Sequence, residues 1–282
     1  MTVPAPLTTG HPREPIPLTG SGDWHGAGTT TQIRVLTARS MRALVLNRRL
    51  LIISLLESLV MLVAFGQVFS GLAYAPGFPA DVRYIDFLLP ALLLTTTLQS
   101  GIQAGIGITD DANSGILDRL RSMPVWPGSI LIARSLAGLA RGAIRLFVLL
   151  VLARVLFGYH PAGGAEGVLA AAGLALALSW SLGWLFIALA CWIDQSEALH
   201  AAAGLVMLPL MYASNAFVPV DGLPGWLRWI ARCNPISHGI DSARDLCLTG
   251  TTGPGLLTAV LAGLVIAVLA AATAVRGLSR PR

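Results

Sequence analysis

Six apolar runs dominate the chain, at residues 50–73, 84–108, 129–157, 168–193, 198–218 and 255–275. A helix crosses ~30 Å of hydrocarbon in ~20 residues, and each run is that long. None alternates apolar and polar residues in the ~10-residue segments that a β-barrel requires. Backbone polar groups in hydrocarbon must bond one another, so the runs predict transmembrane helices.

The segments between the runs carry their own patterns. Residues 1–31 are rich in proline and glycine and lack the apolar region of a signal peptide, which predicts a disordered leader. From Gln32 to Leu46, Ile33, Leu36 and Leu44 fall on one helical face with Arg39 and Arg42 opposite, although Val35 interrupts the stripe. This reads as an imperfect amphipathic helix on a membrane surface, or as a solvated extension of the first span. In the 219–250 segment, Trp226, Trp229, Ile230 and Cys233 recur at helical spacing, with Arg228 and Arg232 on another face. That predicts an interfacial helix broken at Asn234-Pro235. A second short helix then offers Ile236, Ile240 and Cys247 as contacts and Asp241, Arg244 and Asp245 as its polar side. The plainer alternative is a folded loop with an aromatic belt.

Composition supports the membrane assignment: 55% of residues are hydrophobic and 12% charged, against about a quarter charged in soluble domains. The 19 positive charges are all arginine, because the chain has no lysine, and against 14 acidic residues they leave a net charge of +5. With six spans both termini lie on one side. That side holds eleven arginines outside the spans, including Arg119 and Arg121, against Arg83, Arg228, Arg232 and Arg244 on the other. The bias predicts cytoplasmic termini and a cytoplasmic 109–128 loop. The fold class expected is therefore an all-α polytopic protein of the cell membrane: a surface helix, six spans, short external helices before the last one, and a cytoplasmic tail at 279–282. The charge belongs to topology and membrane lipids, not to nucleic acid.

The missing lysine also excludes a Walker A motif, which needs that side chain at the β and γ phosphates. The three cysteines and five histidines show no metal-ligand spacing. Ser237 and His238 are adjacent in sequence and so poorly placed as nucleophile and base. No catalytic, cofactor-binding or metal-binding set is expected on this chain.

The loop between the second and third runs reads "GILDRLRSMPVWPGS". Asp110, Asp111 and Asp118 precede or interleave Arg119 and Arg121, while Ile116, Leu117 and Leu120 supply apolar positions at helical spacing. Pro124 and Pro127 end that short helix. With the surface helix, six spans and the external "NPISHGIDSARDL", this loop resembles the membrane subunits of type-2 ABC exporters of the daunorubicin-resistance-like family. The resemblance covers about residues 32–278. It implies that the loop docks into a separate P-loop ATPase subunit, which would hold ATP and magnesium. The docking residues implied are Asp111, Gly115, Ile116, Asp118, Arg119, Leu120, Arg121, Met123 and Pro124. It also implies a second permease subunit, the same chain or a homologue, and an external cap formed by Trp226, Trp229, Asn234, Pro235, Asp241 and Arg244. The function implied is export of an amphipathic drug-like metabolite or lipid. A secondary transporter or channel without an ATPase is the alternative; its inverted repeats and broken central helices are not evident.

Polar groups inside the runs are candidates for the pathway. Thr96, Gln99 and Gln103 share a stripe, which serves either cargo contact or helix–helix hydrogen bonding. Glu57 is a carboxylate within the first run, where charge is costly unless paired or hydrated. Arg134, Arg141 and Arg145 fall within about 40° of one another on the third run. Arg134 is expected at the inner interface, where it needs no special role. Arg141 and Arg145, lying deeper, either pair with Glu57 or with cytoplasmic-side acids such as Asp194 and Glu197, or attract an anionic head group or acidic cargo. Trp180, Trp184, Met207 and Met211 suit packing or a pliable cavity. Cys233 and Cys247 would face an oxidising compartment, which leaves a disulfide possible there.

Overall fold

The computed structural model describes residues 28–46, 48–68, 71, 82–123, 125–217, 220–222 and 224–278. The expected leader up to residue 27, Pro124 and the tail at 279–282 lie outside the described residues. Within them the chain is helical: α1 (Thr29–Leu46), α2 (Arg48–Val63), α3 (Tyr84–Asn113), α4 (Ile116–Arg121), α5 (Pro127–Phe157), α6 (Gly164–Trp192), α7 (Ser196–Tyr212), α8 (Gly225–Cys233), α9 (Pro235–Thr249) and α10 (Gly255–Leu278). A wider helical turn, Ala64–Val68, continues α2.

Four of these, α3, α5, α6 and α10, are long and apolar enough to cross a membrane, which identifies a multi-pass membrane protein. This differs from the count of six. The helix in the first run, α2, has 16 residues before the wider turn that continues it, and α7 stops after 17 residues at Tyr212, short of the end expected at 218. Ala213, Ser214, Asn215 and Ala216 beyond it are buried without being helical.

Helix α3 is the axle of the bundle, packing against α5, α6, α7 and α9. Nearly all of it is buried from Tyr84 to Asp111. Glycines set its closest approach to α6: a Cβ on Gly101 would stand 2.8 Å from Gly183 Cα, and one on Gly105 2.6 Å from the Phe186 carbonyl. The hydroxyls of Thr95, Thr96 and Thr97 donate to carbonyls one turn back, at Ala91, Leu92 and Leu93. Thr97 also shares a hydrogen bond with Ser179 of α6. Helix α3 can thus bury polar residues without leaving these donors unpaired.

The helix also runs through Asn113, about a turn beyond the 108 expected, so Asp110 and Asp111 are helical and not part of the loop. Their carboxylates are engaged by neighbouring helices, and those contacts hold the last turn in place.

Candidate functional site

The two ends of the bundle are built differently, and a polar cleft lies between them. At the α4 end, Gly115 takes a left-handed conformation (φ 70°) that lets the chain leave α3 and start α4 after a two-residue turn. Leu117 and Leu120 of α4 are buried in the core, and Ile116 is packed partly against it. These apolar residues anchor α4 to its own bundle. Leu120 is thereby removed from the expected docking surface, because its burial is already satisfied within the chain. The outward face carries Asp118, Arg119, Met123 and Trp126, the last two 44% and 50% exposed.

Asp111 likewise faces inward. Its carboxylate accepts hydrogen bonds from the Arg134 guanidinium of α5 and forms an ion pair with Arg39 of α1 at 3.8 Å. Beside it, the Ser196 hydroxyl of α7 donates to Asp110 at 2.9 Å and accepts from the Asn113 amide. The Trp126 backbone N–H donates to the Gln32 side chain of α1. The base of α3 is therefore a joint between α1, α5 and α7. The spacing of the loop residues did not reveal it, because Arg39, Arg134 and Ser196 are remote in sequence.

Midway along the bundle, Arg145 of α5 is 4% exposed and donates to Glu57 of α2 at 2.6 Å and to the Thr96 carbonyl at 3.4 Å. Glu57 keeps 45% of its side-chain surface exposed. The pair sits in an open cleft that Thr96 and Gln99 also line, with Met61 and Met211 as its apolar walls. Gln103, one turn further along α3, is exposed. Met207 is buried. Trp180 and Trp184 meet edge to face at 6.3 Å beside a separate crevice.

At the α9 end, Asn234 caps α9 by accepting from the Ile236 N–H. Its amide donates to the carbonyls of Leu210 and Ala213, where α7 stops. Pro235 then occupies the first turn of α9, where its missing N–H costs nothing. Arg244 was expected on a polar outer side and is instead 8% exposed. It lies 3.6 Å over the Phe87 ring and donates to the carbonyls of Phe87 and Asn215 and to Asp241. Burial holds the Arg244 guanidinium down to about 10, against Asp241 and Asp245, which favour its charge. Burial also raises Asp241 above the usual carboxylate range, with Arg244 opposing. Asn215, which sequence reasoning did not single out, donates to Asp241 and closes the network. Its one signal was a polar residue near the end of an apolar run.

Trp226 and Trp229 of α8 are each 70% exposed on one face. Cys233 and Cys247 are free thiols, the first exposed and the second buried in α9. The possible bridge between them is absent because α9 turns Cys247 into the bundle, where it is fully buried. Burial raises the Cys247 thiol.

Comparison with known proteins agrees with this architecture. The ABC-2 type transporter profile matches residues 31–248. The chain is 31% identical over 213 residues to the daunorubicin resistance ABC transporter permease protein of Streptomyces coeruleorubidus, covering 74% of this chain and 73% of that one. It is 26% identical over 194 residues, 69% of its length and 66% of the relative's, to a protein of Porphyra purpurea named as a transport permease. A permease protein of Mycobacterium tuberculosis named for doxorubicin resistance is 23% identical over 192 residues, 68% of each chain.

Proposed function

We propose, for a chain that belongs to the ABC-2 type transporter family, the role of membrane-spanning half of an ATP-driven exporter whose cargo is an amphipathic drug-like metabolite or lipid. ATP and magnesium would be held by a separate P-loop ATPase subunit. A second permease subunit, the same chain or a homologue, would complete the pathway. On this reading α2 with its following turn and α7 complete six crossings of the cell membrane, with both termini and α4 cytoplasmic. The positive-inside bias of the arginines supports that orientation.

The observation that carries the proposal is the form of α4: a short helix anchored inward by Leu117 and Leu120 while Asp118, Arg119 and Met123 point outward. The adjoining Asp111 joint reaches α1 and α5. A push on α4 from a bound subunit would pass into helices that line the cleft around Glu57, Thr96, Gln99 and Arg145. Gln103 and Arg141 lie on the cytoplasmic side of that cleft and would meet cargo first. Thr96 and Arg145 stay buried within it. At the other end, the Asn234 and Arg244 network would close the pathway by holding the end of α7, with Trp226 and Trp229 at the outer lipid interface.

The test is co-purification with a P-loop ATPase subunit co-expressed from a neighbouring reading frame. Arg119→Glu with Arg121→Glu should leave membrane insertion intact, reduce ATPase association at least tenfold, and abolish export. Unchanged association and export in the double variant would remove α4 as the docking element. Transport in vesicles lacking any ATPase would return the chain to the secondary-transporter class.

A further inference from the structure

The arginine stripe of α5 is not uniformly neutralised. Arg134, Arg141 and Arg145 lie within about 40° of one another around the helix. Arg134 is bound to Asp111 at one end of the stripe, and Arg145 to Glu57 at the other. Arg141 makes no ion pair and no hydrogen bond among the described residues, and it is half-buried. By helical rise it stands ~10 Å deeper than the Asp111 joint and ~6 Å short of the Glu57 pair. The nearest cations on its own face are like charges, so neither neighbour relieves it. An unneutralised cation at that depth is costly unless an anion or water reaches it.

The surroundings narrow the anion. Helices α2 and α5 run parallel, because Glu57 meets Arg145 while Gly66 meets Phe157 one end further on. The level of Arg141 on α5 therefore corresponds to Ile53 on α2, four residues before Glu57. Ile52, Ile53 and Leu56 are each more than half exposed there. A guanidinium at the level of an exposed aliphatic surface matches a ligand with one anionic group and a hydrocarbon tail. The planar fork of arginine favours phosphate or carboxylate, which it can hold through two parallel N–H bonds.

We propose that Arg141 is the anion-binding residue of a lateral site between α2 and α5 that takes an amphipathic phosphate or carboxylate with its tail along Ile52 and Ile53. This rests on the pathway reading above and gives the inner part of that pathway a ligand chemistry. The anion can come from a leaflet lipid head group or from a free amphipathic acid.

The test uses the full chain alone in detergent, without an ATPase subunit. Native mass spectrometry would measure retention of phosphatidylglycerol against phosphatidylcholine of the same chains, and separately of dodecyl phosphate. The unsubstituted chain should favour phosphatidylglycerol by about fivefold. Arg141→Gln should bring that ratio to near one, Arg141→Lys should keep part of it, and Arg154→Gln, at the far end of α5, should leave it unchanged. Loss of the phosphatidylglycerol preference alone in Arg141→Gln assigns the site to lipid head groups, loss of dodecyl phosphate alone assigns it to free amphipathic acids, and loss of both supports a site open to either source. Equal retention of both by the unsubstituted and Arg141→Gln chains overturns the proposal. Should Arg141→Gln fail to fold, the unsubstituted chain decides: no rise in its unfolding midpoint with dodecyl phosphate, and no preference for phosphatidylglycerol, overturns it equally. Lost ATPase association with this binding intact would sink the exporter reading and leave the site standing.

Discussion

Helices α3 and α10 look alike as apolar runs, yet 89% of the spanning window of α3 is buried within the protein and only 22% of that of α10. The more hydrophobic of the two is the outer one. Helix α10 exposes Leu257, Leu261, Leu264, Val268 and Leu269, and buries mostly alanine and glycine, such as Ala259, Gly263, Ala267 and Ala274. Helix α3 buries threonine, serine and aspartate along with its leucines. In a bilayer the surrounding lipid is as apolar as leucine, so hydrophobicity does not drive a helix to the centre. Small residues that permit close contact, and polar residues that need partners, do.

The comparison can be broken most sharply at the polar side of α3. Glu57→Gln leaves Arg145 buried beside the Thr96 carbonyl without its carboxylate. Losing one partner of a buried pair costs about 3–5 kcal/mol; with Glu57 half-exposed, the low end is expected here. The unfolding midpoint of the detergent-solubilised chain should fall by roughly 6–12 °C. Adding Arg145→Gln to that variant should recover most of the loss, since both charges are then gone. A double variant as unstable as the sum of the singles would show that the two groups do not act as a pair.

Gly101→Ala should come next. Its new Cβ meets the Gly183 backbone, which has no side chain to rotate away, and overpacking of this kind costs about 1–3 kcal/mol. Leu264→Ala on α10 removes more atoms but only from the lipid-facing surface, and should change the midpoint by less than a third as much. If the two substitutions rank the other way, α3 is not the packing axle.

The smallest effect tests the α9 end by alkylation. Cys233 should react with a maleimide at pH 7.5 within minutes. Cys247, with its thiol raised by burial and covered by the bundle, should react at least tenfold more slowly. Equal rates would mean that α9 is not seated as described.

Much of this architecture could be read along the chain. The positions of four spans, α3, α5, α6 and α10, followed from run length, because hydrocarbon thickness sets how many apolar residues a crossing needs. The break between α8 and α9 followed from Asn234-Pro235, a local matter of capping and a missing N–H. The short helix after Gly115, the absence of a phosphate-binding lysine, and the pairing of Glu57 with an arginine of the third run were also legible, the last as one of two alternatives.

What the chain order could not reveal is which face of each helix meets protein and which meets lipid. Leu120 on α4 and Arg244 on α9 were assigned outward and prove buried, because the groups that cover them, such as Phe87 and Asn215 around Arg244, come from distant parts of the chain. Asp111 was assigned to a docking surface and proves to be a joint, because its partners Arg39 and Arg134 lie 72 residues before and 23 residues after it. The stopping point of α7 depends on Asn234, more than twenty residues on, which supplies the hydrogen bonds that its last carbonyls would otherwise lack. The sequence determined what crosses the membrane, through transfer of the backbone and side chains from water to hydrocarbon. Only the tertiary structure decided that Arg134 and Arg145 are neutralised while Arg141 between them makes no ion pair among the described residues, because pairing depends on distances between helices that no single segment encodes.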